Sequence, residues 1–222
     1  MISFSSRWVK VCFGAITFGA VSELVYFTYR KYKRRKWQTN QNESESRKVT
    51  EEVLFFPDDR VACKDYFVGE DGCNNNDCRF THFPNSLSRL YEFINGAKGR
   101  LDVCVFVICC IDLADLLIAA HKRHVLVRVI SDGEQTEITG SQIWNLRKAG
   151  IAVRTNKSSF LMHHKFVVID DQLLLNGSFN WTRQAISGNQ ENLMALGNKR
   201  IVSLYTNEFE RLWNAFDPQK NG

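Results

Sequence analysis

The feature that most constrains the fold is the stretch 163–180, in which polar residues stand at fixed intervals around two short apolar runs. The runs 166–169 and 173–175 are separated by a turn-prone Asp-Asp-Gln sequence, a pattern that predicts two antiparallel strands. Successive side chains of a strand point to opposite faces, so His163 and Lys165 are expected to share one face. The stretch therefore predicts a strand pair with polar groups at one end.

The polar residues of this stretch suit chemistry on a phosphate ester. A neutral imidazole at His163 is a competent nucleophile, and the ammonium of Lys165 can hold the non-bridging oxygens. At the end of the second strand, Gly177 and Ser178 offer backbone N–H groups and a hydroxyl, and Asn180 adds an amide donor. The His-x-Lys pair by itself favours an ordinary buried strand with a solvated end, so the functional prediction depends on the whole frame.

That frame resembles the HKD signature of the phospholipase D superfamily. Every defining position is present and in register: His163, Lys165, Asp170, Gly177, Ser178 and Asn180. The resemblance implies a phospholipase-D-like α-β-α sandwich with a central mixed sheet, and a reaction through a phosphohistidine formed on His163. It also implies that Lys165, Ser178 and Asn180 bind phosphate oxygens and that no catalytic metal is required.

Two carboxylates are also expected to take part in this site. Glu191 matches the carboxylate that follows the signature in these enzymes, and the resemblance implies that it orients the His163 ring. Asp170 is part of the signature and is counted among the candidate catalytic residues. Its position at the end of a strand favours a structural hydrogen-bonding role over proton transfer.

The chain contains a single copy of the frame, and this has a mechanistic consequence. Displacement at a phosphodiester through a covalent histidine needs a second group that protonates the leaving oxygen. Superfamily members with two frames build the site between two similar halves, and members with one frame resemble half-enzymes that pair. We therefore predict a two-fold homodimer in which both copies of His163 face one phosphate.

Outside the signature, apolar runs alternate with helical periodicities. Strands are predicted near residues 53–56, 101–108, 125–130, 151–154 and 193–196, and helices near residues 86–97, 112–121, 141–149 and 199–216. Strands that alternate with helices indicate an α/β layered domain. We therefore interpret residues 51–222 as one phospholipase-D-like catalytic domain.

Four potential metal ligands occur in a loop-rich insertion of this domain, residues 63–82. They are Cys63, Cys73, Cys78 and His82, and turn-forming Gly and Asn residues separate them. Three thiolates and one imidazole make a closed tetrahedral zinc set with no position left for a reactive water. The segment resembles CCCH zinc fingers, so a structural zinc is predicted, with scattered thiols in a surface insertion as the alternative.

The N-terminal residues 1–37 differ from the rest of the chain in charge and hydropathy. Of the net charge of +5 they contribute +7, so the remaining residues sum to −2. The run 11–29 is interrupted only by Glu23 and is long enough to cross a bilayer, and six Lys or Arg residues follow within residues 30–36. Because positive residues stay in the cytosol, we predict a single-pass anchor that leaves the catalytic domain cytosolic, joined to it by a flexible linker at 38–50. An amphipathic surface helix and a matrix presequence are the alternatives.

These features narrow the resemblance to the Zucchini family of mitochondrial phospholipase-D-like proteins. The anchor, the CCCH insertion, the single frame and the sequence Gly-Ser-Phe-Asn-Trp-Thr at 177–182 carry it. The resemblance implies a single-strand-specific RNA endonuclease on the mitochondrial outer membrane that acts on piRNA precursors in piRNA biogenesis. The same family has been linked to hydrolysis of cardiolipin to phosphatidic acid, which is the alternative function.

Residues near the signature bear on the choice between these substrates. A single RNA strand needs a basic groove, for which Arg154, Lys157 and Arg183 are the candidates. A lipid substrate needs an apolar rim, for which the Phe-Leu-Met sequence at 160–162 is the candidate. We favour RNA, mainly on the family resemblance, and a non-catalytic membrane scaffold is a third class that the intact frame disfavours.

Overall fold

The computed structural model describes Tyr26, residues 28–32 and residues 50–220. Tyr26 and residues 28–32 are helical. Among the described residues, no helix has both the length and the apolar character needed to cross a bilayer. Most of the predicted anchor and nearly all of the predicted linker lie outside the described residues.

Residues 50–220 contain a seven-stranded mixed sheet. Its strands are β1 (Glu51–Phe56), β2 (Arg100–Val105), β3 (Leu126–Ser131), β4 (Ala152–Thr155), β5 (Lys165–Ile169), β6 (Leu173–Gly177) and β7 (Glu191–Leu196). They lie in the order β1-β7-β6-β5-β2-β3-β4. The pairs β2–β3 and β3–β4 are parallel, and the other neighbouring pairs are antiparallel. The predicted central mixed sheet and the β5–β6 strand pair of the signature are confirmed.

Helices lie on both faces of this sheet. The helices of the described domain are α1 (Lys64–Val68), α2 (Ser86–Asn95), α3 (Ile111–Lys122), α4 (Ile143–Lys148), α5 (Arg183–Ser187) and α6 (Lys199–Ala215). On one face, Leu90 of α2 and Leu117 of α3 are buried in a cluster with the sheet. On the other face, Phe209 of α6 is buried with Cys104 and Phe166. The predicted α/β layering therefore forms because β2 and β5 bury side chains in both directions.

One buried ion-pair network attaches α6 to the sheet. Asp102 is fully buried in β2, and its carboxylate accepts hydrogen bonds from Arg128 of β3 at 2.8 and 3.0 Å. The same guanidinium donates to Glu210 of α6 at 2.6 Å. Burial raises the pKa of Asp102, although Arg128 opposes this effect. Loss of one partner would leave an unpaired buried charge, so the network fixes the position of the helix.

The strand directions gather seven strand ends at one edge of the sheet, which we call the site edge. Its terminal residues are Phe56, Val105, Ser131, Thr155, Lys165, Gly177 and Glu191. Strand register supports this arrangement, because Val105 pairs with Lys165 and Phe56 pairs with Glu191. The connections that leave this edge are therefore close enough in space to build a common site.

Strand β2 is shorter than the predicted strand 101–108 because the chain leaves the sheet at Phe106. The backbone N–H of Phe106 donates to the carbonyl oxygen of His164 at 2.9 Å. Beyond it, Trp181 donates its N–H to Val107 at 3.0 Å and accepts the N–H of Cys109 at 2.7 Å. This segment thereby joins the residues before β5 to those after β6 at the site edge.

Candidate active site

His163 lies two residues before the start of β5 with its side chain exposed. Its ring packs edge-to-face against Phe106 with the centroids 4.6 Å apart. Burial, the charge of Lys165 and, to a smaller extent, His164 lower the pKa of His163, while the carboxylate of Asp132 acts in the opposite direction. The lowered pKa favours the neutral imidazole near pH 7, which is the form that attacks phosphorus.

Lys165 is the first residue of β5 and lies beside the same aromatic ring. Its ammonium donates to the carbonyl oxygen of His163 at 2.8 Å and lies 5.1 Å from the centroid of Phe106. Burial lowers the pKa of Lys165, and the nearby carboxylate of Glu191 partly offsets this effect. His163 and Lys165 are thus brought together, with the ammonium held next to the candidate nucleophile.

Ser178 and Glu191 form one hydrogen-bonded unit across the ends of β6 and β7. The Ser178 hydroxyl donates to the Glu191 carboxylate, whose other oxygen accepts from Asn189 at 3.0 Å. The hydroxyl oxygen in turn accepts the backbone N–H of Asn192 at 3.1 Å. Glu191 is expected from the family resemblance to orient the His163 ring, and in this structure its carboxylate accepts hydrogen bonds from Ser178 and Asn189.

Glycine is required just before this unit. A Cβ atom on Gly177 would lie 2.0 Å from the carbonyl oxygen of Asn192 and would also meet the backbone of Leu193. Strands β6 and β7 therefore approach closely enough at this point only because position 177 has no side chain. In the Gly-Ser pair of the signature, the glycine thus allows the two backbones to approach, and the serine supplies the hydroxyl.

Asn180 follows in the turn between β6 and α5. It is half-buried, and within the described residues its Oδ1 atom is buried without a hydrogen-bond partner. Its neighbour Trp181 is almost fully buried and hydrogen-bonded to the segment after β2. The unpaired atom is an acceptor, so it suits a donor group of a ligand, whereas phosphate oxygens would need the N–H groups of the same amide.

Asp170 lies at the opposite end of β5, roughly 16 Å along the strand from Lys165. Its carboxylate accepts the backbone N–H groups of Lys98, Gly99 and Arg100 at 2.9, 2.7 and 2.7 Å. Burial raises the pKa of Asp170, but these three hydrogen bonds outweigh it, so the net shift is downward. The structure therefore separates Asp170 from the other signature residues and places it where it holds the connection between α2 and β2.

The four candidate metal ligands come together as a cluster. The ligand atoms of Cys63, Cys73, Cys78 and His82 all lie within 4.8 Å of one another. The Nε2 atom of His82 is buried without a hydrogen-bond partner among the described residues, and its ring stacks on Tyr66 at 4.2 Å. An orphaned imidazole nitrogen among three thiols fits a soft divalent metal such as zinc.

One residue of the site edge was missed by sequence reasoning. Asp132 follows β3, is 1% exposed, and accepts the backbone N–H of Met162 at 2.8 Å. The available signal was a polar residue directly after an apolar strand, since the carboxyl ends of parallel strands are where α/β folds bind ligands. The Asp-Gly pair at 132–133 was instead compatible with an ordinary turn.

The mixed sheet and the signature residues at its site edge together define a hydrolase of the phospholipase D superfamily. The family described as "Cardiolipin synthase, PLD-like domain" matches residues 90–213. A protein of Chlamydomonas reinhardtii named mitochondrial cardiolipin hydrolase is 44% identical over 165 residues, which cover 74% of each chain. A Xenopus tropicalis protein of the same name is 42% identical over 172 residues, which cover 78% of this chain and 80% of that protein. The chain belongs to this mitochondrial cardiolipin hydrolase family.

A solved structure supports the fold. The phospholipase D family member Nuc from Salmonella typhimurium superposes with a TM-score of 0.59 at 21% sequence identity. The match covers 75% of this chain and 95% of that chain. The layered mixed sheet is therefore the phospholipase D fold.

Proposed function

We propose that this chain hydrolyses the membrane phosphodiester cardiolipin and releases phosphatidic acid. The name of its relatives supports this substrate over RNA. The structural observation that carries the proposal is an apolar tip beside the nucleophile, formed by Phe160 and Leu161, whose side chains are 83% and 54% exposed. Because the tip precedes His163 by only two residues, an acyl surface that contacts it would lie beside the reacting phosphate.

The apolar tip is held in place by the residues around it. The carbonyl oxygen of Phe160 accepts a hydrogen bond from Asn156 at 2.8 Å. Met162, the third residue of the predicted rim, is only 4% exposed and is buried with Cys104 against α6. Two of the three rim residues therefore face solvent while the third anchors them, an arrangement that suits contact with a lipid surface.

The predicted basic groove for RNA has less support. Arg154 donates to the carbonyl oxygen of Trp213, lies 3.3 Å from the carboxylate of Asp217 and stacks over the Trp213 ring. It is therefore engaged in holding the C-terminal helix. The other two candidates, Lys157 and Arg183, are exposed, Arg183 at the start of α5. Single-stranded RNA, with the role in piRNA biogenesis, is the competing hypothesis.

The proposed reaction uses two copies of His163 in a homodimer. The neutral imidazole of one protomer attacks phosphorus, and the bond to the leaving glycerol oxygen breaks as the imidazolium of the other protomer gives that oxygen its proton. Water then attacks the phosphohistidine, gives a proton back to the second imidazole and releases phosphatidic acid. Lys165, Ser178 and Asn180 hold the phosphate oxygens, for which the Ser178 hydroxyl turns its proton from the Glu191 carboxylate to the substrate.

A side-by-side assay tests the substrate. Wild-type full-length protein is incubated with cardiolipin vesicles, with single-stranded RNA and with a soluble aryl phosphodiester. We expect cardiolipin turnover that His163→Ala abolishes, and a double change of Phe160→Ser with Leu161→Ser that lowers it about 10-fold by weakening interfacial contact. The double variant is expected to hydrolyse the soluble diester within about 2-fold of wild type. RNA cleavage without cardiolipin turnover would replace the lipid hypothesis by the RNA hypothesis.

A mixing experiment tests the shared site. Wild-type and His163→Ala protomers are exchanged at equal amounts before assay. If each site needs both imidazoles, only wild-type dimers work and the activity per total protein falls to about one quarter of the wild-type value. Independent sites would retain about one half, which would reject the shared-site mechanism.

The location proposed for the protein is the mitochondrial outer membrane with the catalytic domain in the cytosol. The name of the relatives supports mitochondria, and the apolar run followed by a basic segment supports a single-pass anchor. Protease added to intact mitochondria should then degrade the catalytic domain. Degradation only after rupture of the outer membrane would contradict this orientation.

A structural zinc ion is the proposed occupant of the cysteine–histidine cluster. It would be held by Cys63, Cys73, Cys78 and His82, and it would tie the insertion to the strand connection that leaves β1. Cys73→Ala is expected to lower bound zinc from about one ion per chain to near zero and to increase amide exchange over residues 60–83. Cys109→Ala, outside the cluster, is the matched control, and zinc content unchanged in both variants would reject the assignment.

A further inference from the structure

The nucleophile stands at the end of a long connection, residues 156–164, that contains neither helix nor strand. Connections of this kind are ordinarily mobile, whereas a nucleophile must be held within about half an ångström of its working position. Hydrogen bonds tie this connection to the turn after β3. Met162 donates its N–H to Asp132 at 2.8 Å, and Asn156 accepts the N–H of Gly133 at 2.8 Å.

Asp132 is the unusual member of this contact. Its carboxylate is 1% exposed and accepts two backbone N–H groups, from Met162 at 2.8 Å and from Glu134 at 3.1 Å. Among the salt bridges of residues 50–220, none pairs it with a Lys or Arg side chain. Burial of a carboxylate without a cation is costly, so a neutral residue would serve better if anchoring were its only role.

We propose that Asp132 is a positioning residue: its carboxylate fixes the backbone immediately before His163 and holds a negative charge against Met162, the residue that precedes the imidazole. The inference rests on the proposed phosphohistidine reaction and deepens it. The reaction needs one neutral and one protonated copy of His163 at the same pH, and a buried anion supports the protonated copy.

The charges around the imidazole are consistent with this role. Lys165 and His164, both next to the nucleophile in sequence, disfavour the imidazolium, and burial does so more strongly. Asp132 is the group that favours it, and the fourth neighbour, Phe106, contributes an uncharged ring. Removal of the Asp132 charge should therefore lower the pKa of His163 further and reduce the population of the imidazolium that acts as the general acid.

Asp132→Asn removes the charge and keeps the shape and one acceptor oxygen, which can still serve the N–H of Met162, while the N–H of Glu134 loses its acceptor. We expect both limbs of the profile of kcat/KM against pH to move to lower pH. The NMR titration of His163 should move in the same direction. Glu134→Gln is the matched control, since it removes an equal charge from an exposed position in the same turn; it should leave both measurements unchanged.

Asp132→Ala removes the anchor as well. We expect kcat to fall by about 10- to 100-fold with KM changed by less than about 3-fold, because the nucleophile loses its fixed position. In the wild-type protein, the N–H of Met162 should exchange with solvent at least about 100-fold more slowly than an open amide. This last measurement needs no variant.

The outcomes distinguish failure of this inference from failure of the proposed reaction. A wild-type protein without activity on any phosphodiester would reject the reaction, while the NMR titration and the amide exchange still decide the role of Asp132. An Asp132→Asn protein with an unchanged His163 titration would overturn the electrostatic role. Fast exchange at Met162, or full kcat in Asp132→Ala, would overturn the anchoring role.

Discussion

The two ends of strand β5 carry residues of the same signature and use them differently. At the site edge, the His163 side chain is exposed, and Asn180 keeps a buried oxygen without a partner in the described structure. At the far end, the carboxylate of Asp170 accepts three backbone N–H groups. The signature thus combines one end where the His163 ring is exposed and the Asn180 oxygen has no partner among the described residues with a second end where the Asp170 carboxylate is saturated by backbone donors.

This comparison has a measurable consequence. Side chains with unused hydrogen-bonding capacity contribute to the transition state, whereas a carboxylate saturated by backbone donors contributes to the free energy of unfolding. Substitutions at the site edge should therefore change rate with little change in stability. Substitutions at the far end should do the reverse.

The largest expected effect is that of His163→Ala. Loss of the nucleophile should lower kcat for phosphodiester hydrolysis by at least about 10,000-fold. Because the side chain is exposed, the free energy of unfolding should change by less than about 0.5 kcal/mol. His164→Ala is the control, since it removes an exposed imidazole one position away; substantial turnover by His163→Ala would move the nucleophile elsewhere.

Lys165→Met should have the next largest effect. Loss of the cation beside the phosphate should lower kcat by about 100- to 1,000-fold. Burial lowers the pKa of Lys165, so its charge is not well solvated and the variant should be at least as stable as wild type in urea. A loss of activity below about 3-fold would show that Lys165 does not contribute to the reaction.

Asp170→Asn tests the far end of β5. The amide tolerates the left-handed backbone at this position, φ 53°, but it accepts the three N–H groups less well than a carboxylate. We expect the free energy of unfolding to fall by about 2 kcal/mol, with kcat per folded molecule within about 3-fold of wild type. A large loss of kcat at unchanged stability would show instead that Asp170 contributes to the reaction and not to anchoring.

The smallest expected effect is the pH dependence of the difference in unfolding free energy between wild type and Asp170→Asn. The pKa of Asp170 is lowered in the folded state, so its stabilisation is complete above the unfolded value of about 3.9 and is lost as pH falls through the folded value. The difference in unfolding free energy between wild type and Asp170→Asn should therefore shrink between pH 5 and pH 3. Urea titrations of both proteins measure it, and a difference that grows toward low pH would contradict the assignment.

Local patterns were sufficient to predict much of this protein. Two short apolar runs on either side of a turn-prone sequence predicted the strand pair β5–β6, because turn residues between apolar runs are a local signal. The four cysteine and histidine ligands were predicted from residue type and loop composition, and the structure brings them together. The layered architecture followed from apolar runs that alternate with helical periodicities.

Only the tertiary structure determined which partners these residues have. The N–H of Met162 bonds to Asp132, thirty positions away, and Arg154 bonds to Trp213 and Asp217 in place of a substrate groove. Neither contact can be predicted from a repeating pattern in the sequence, because each depends on which strand ends and helix ends meet at one edge of the sheet. Sequence by itself determined the chemical groups and the faces they occupy, whereas packing decided which of them are saturated and which keep the capacity to bind.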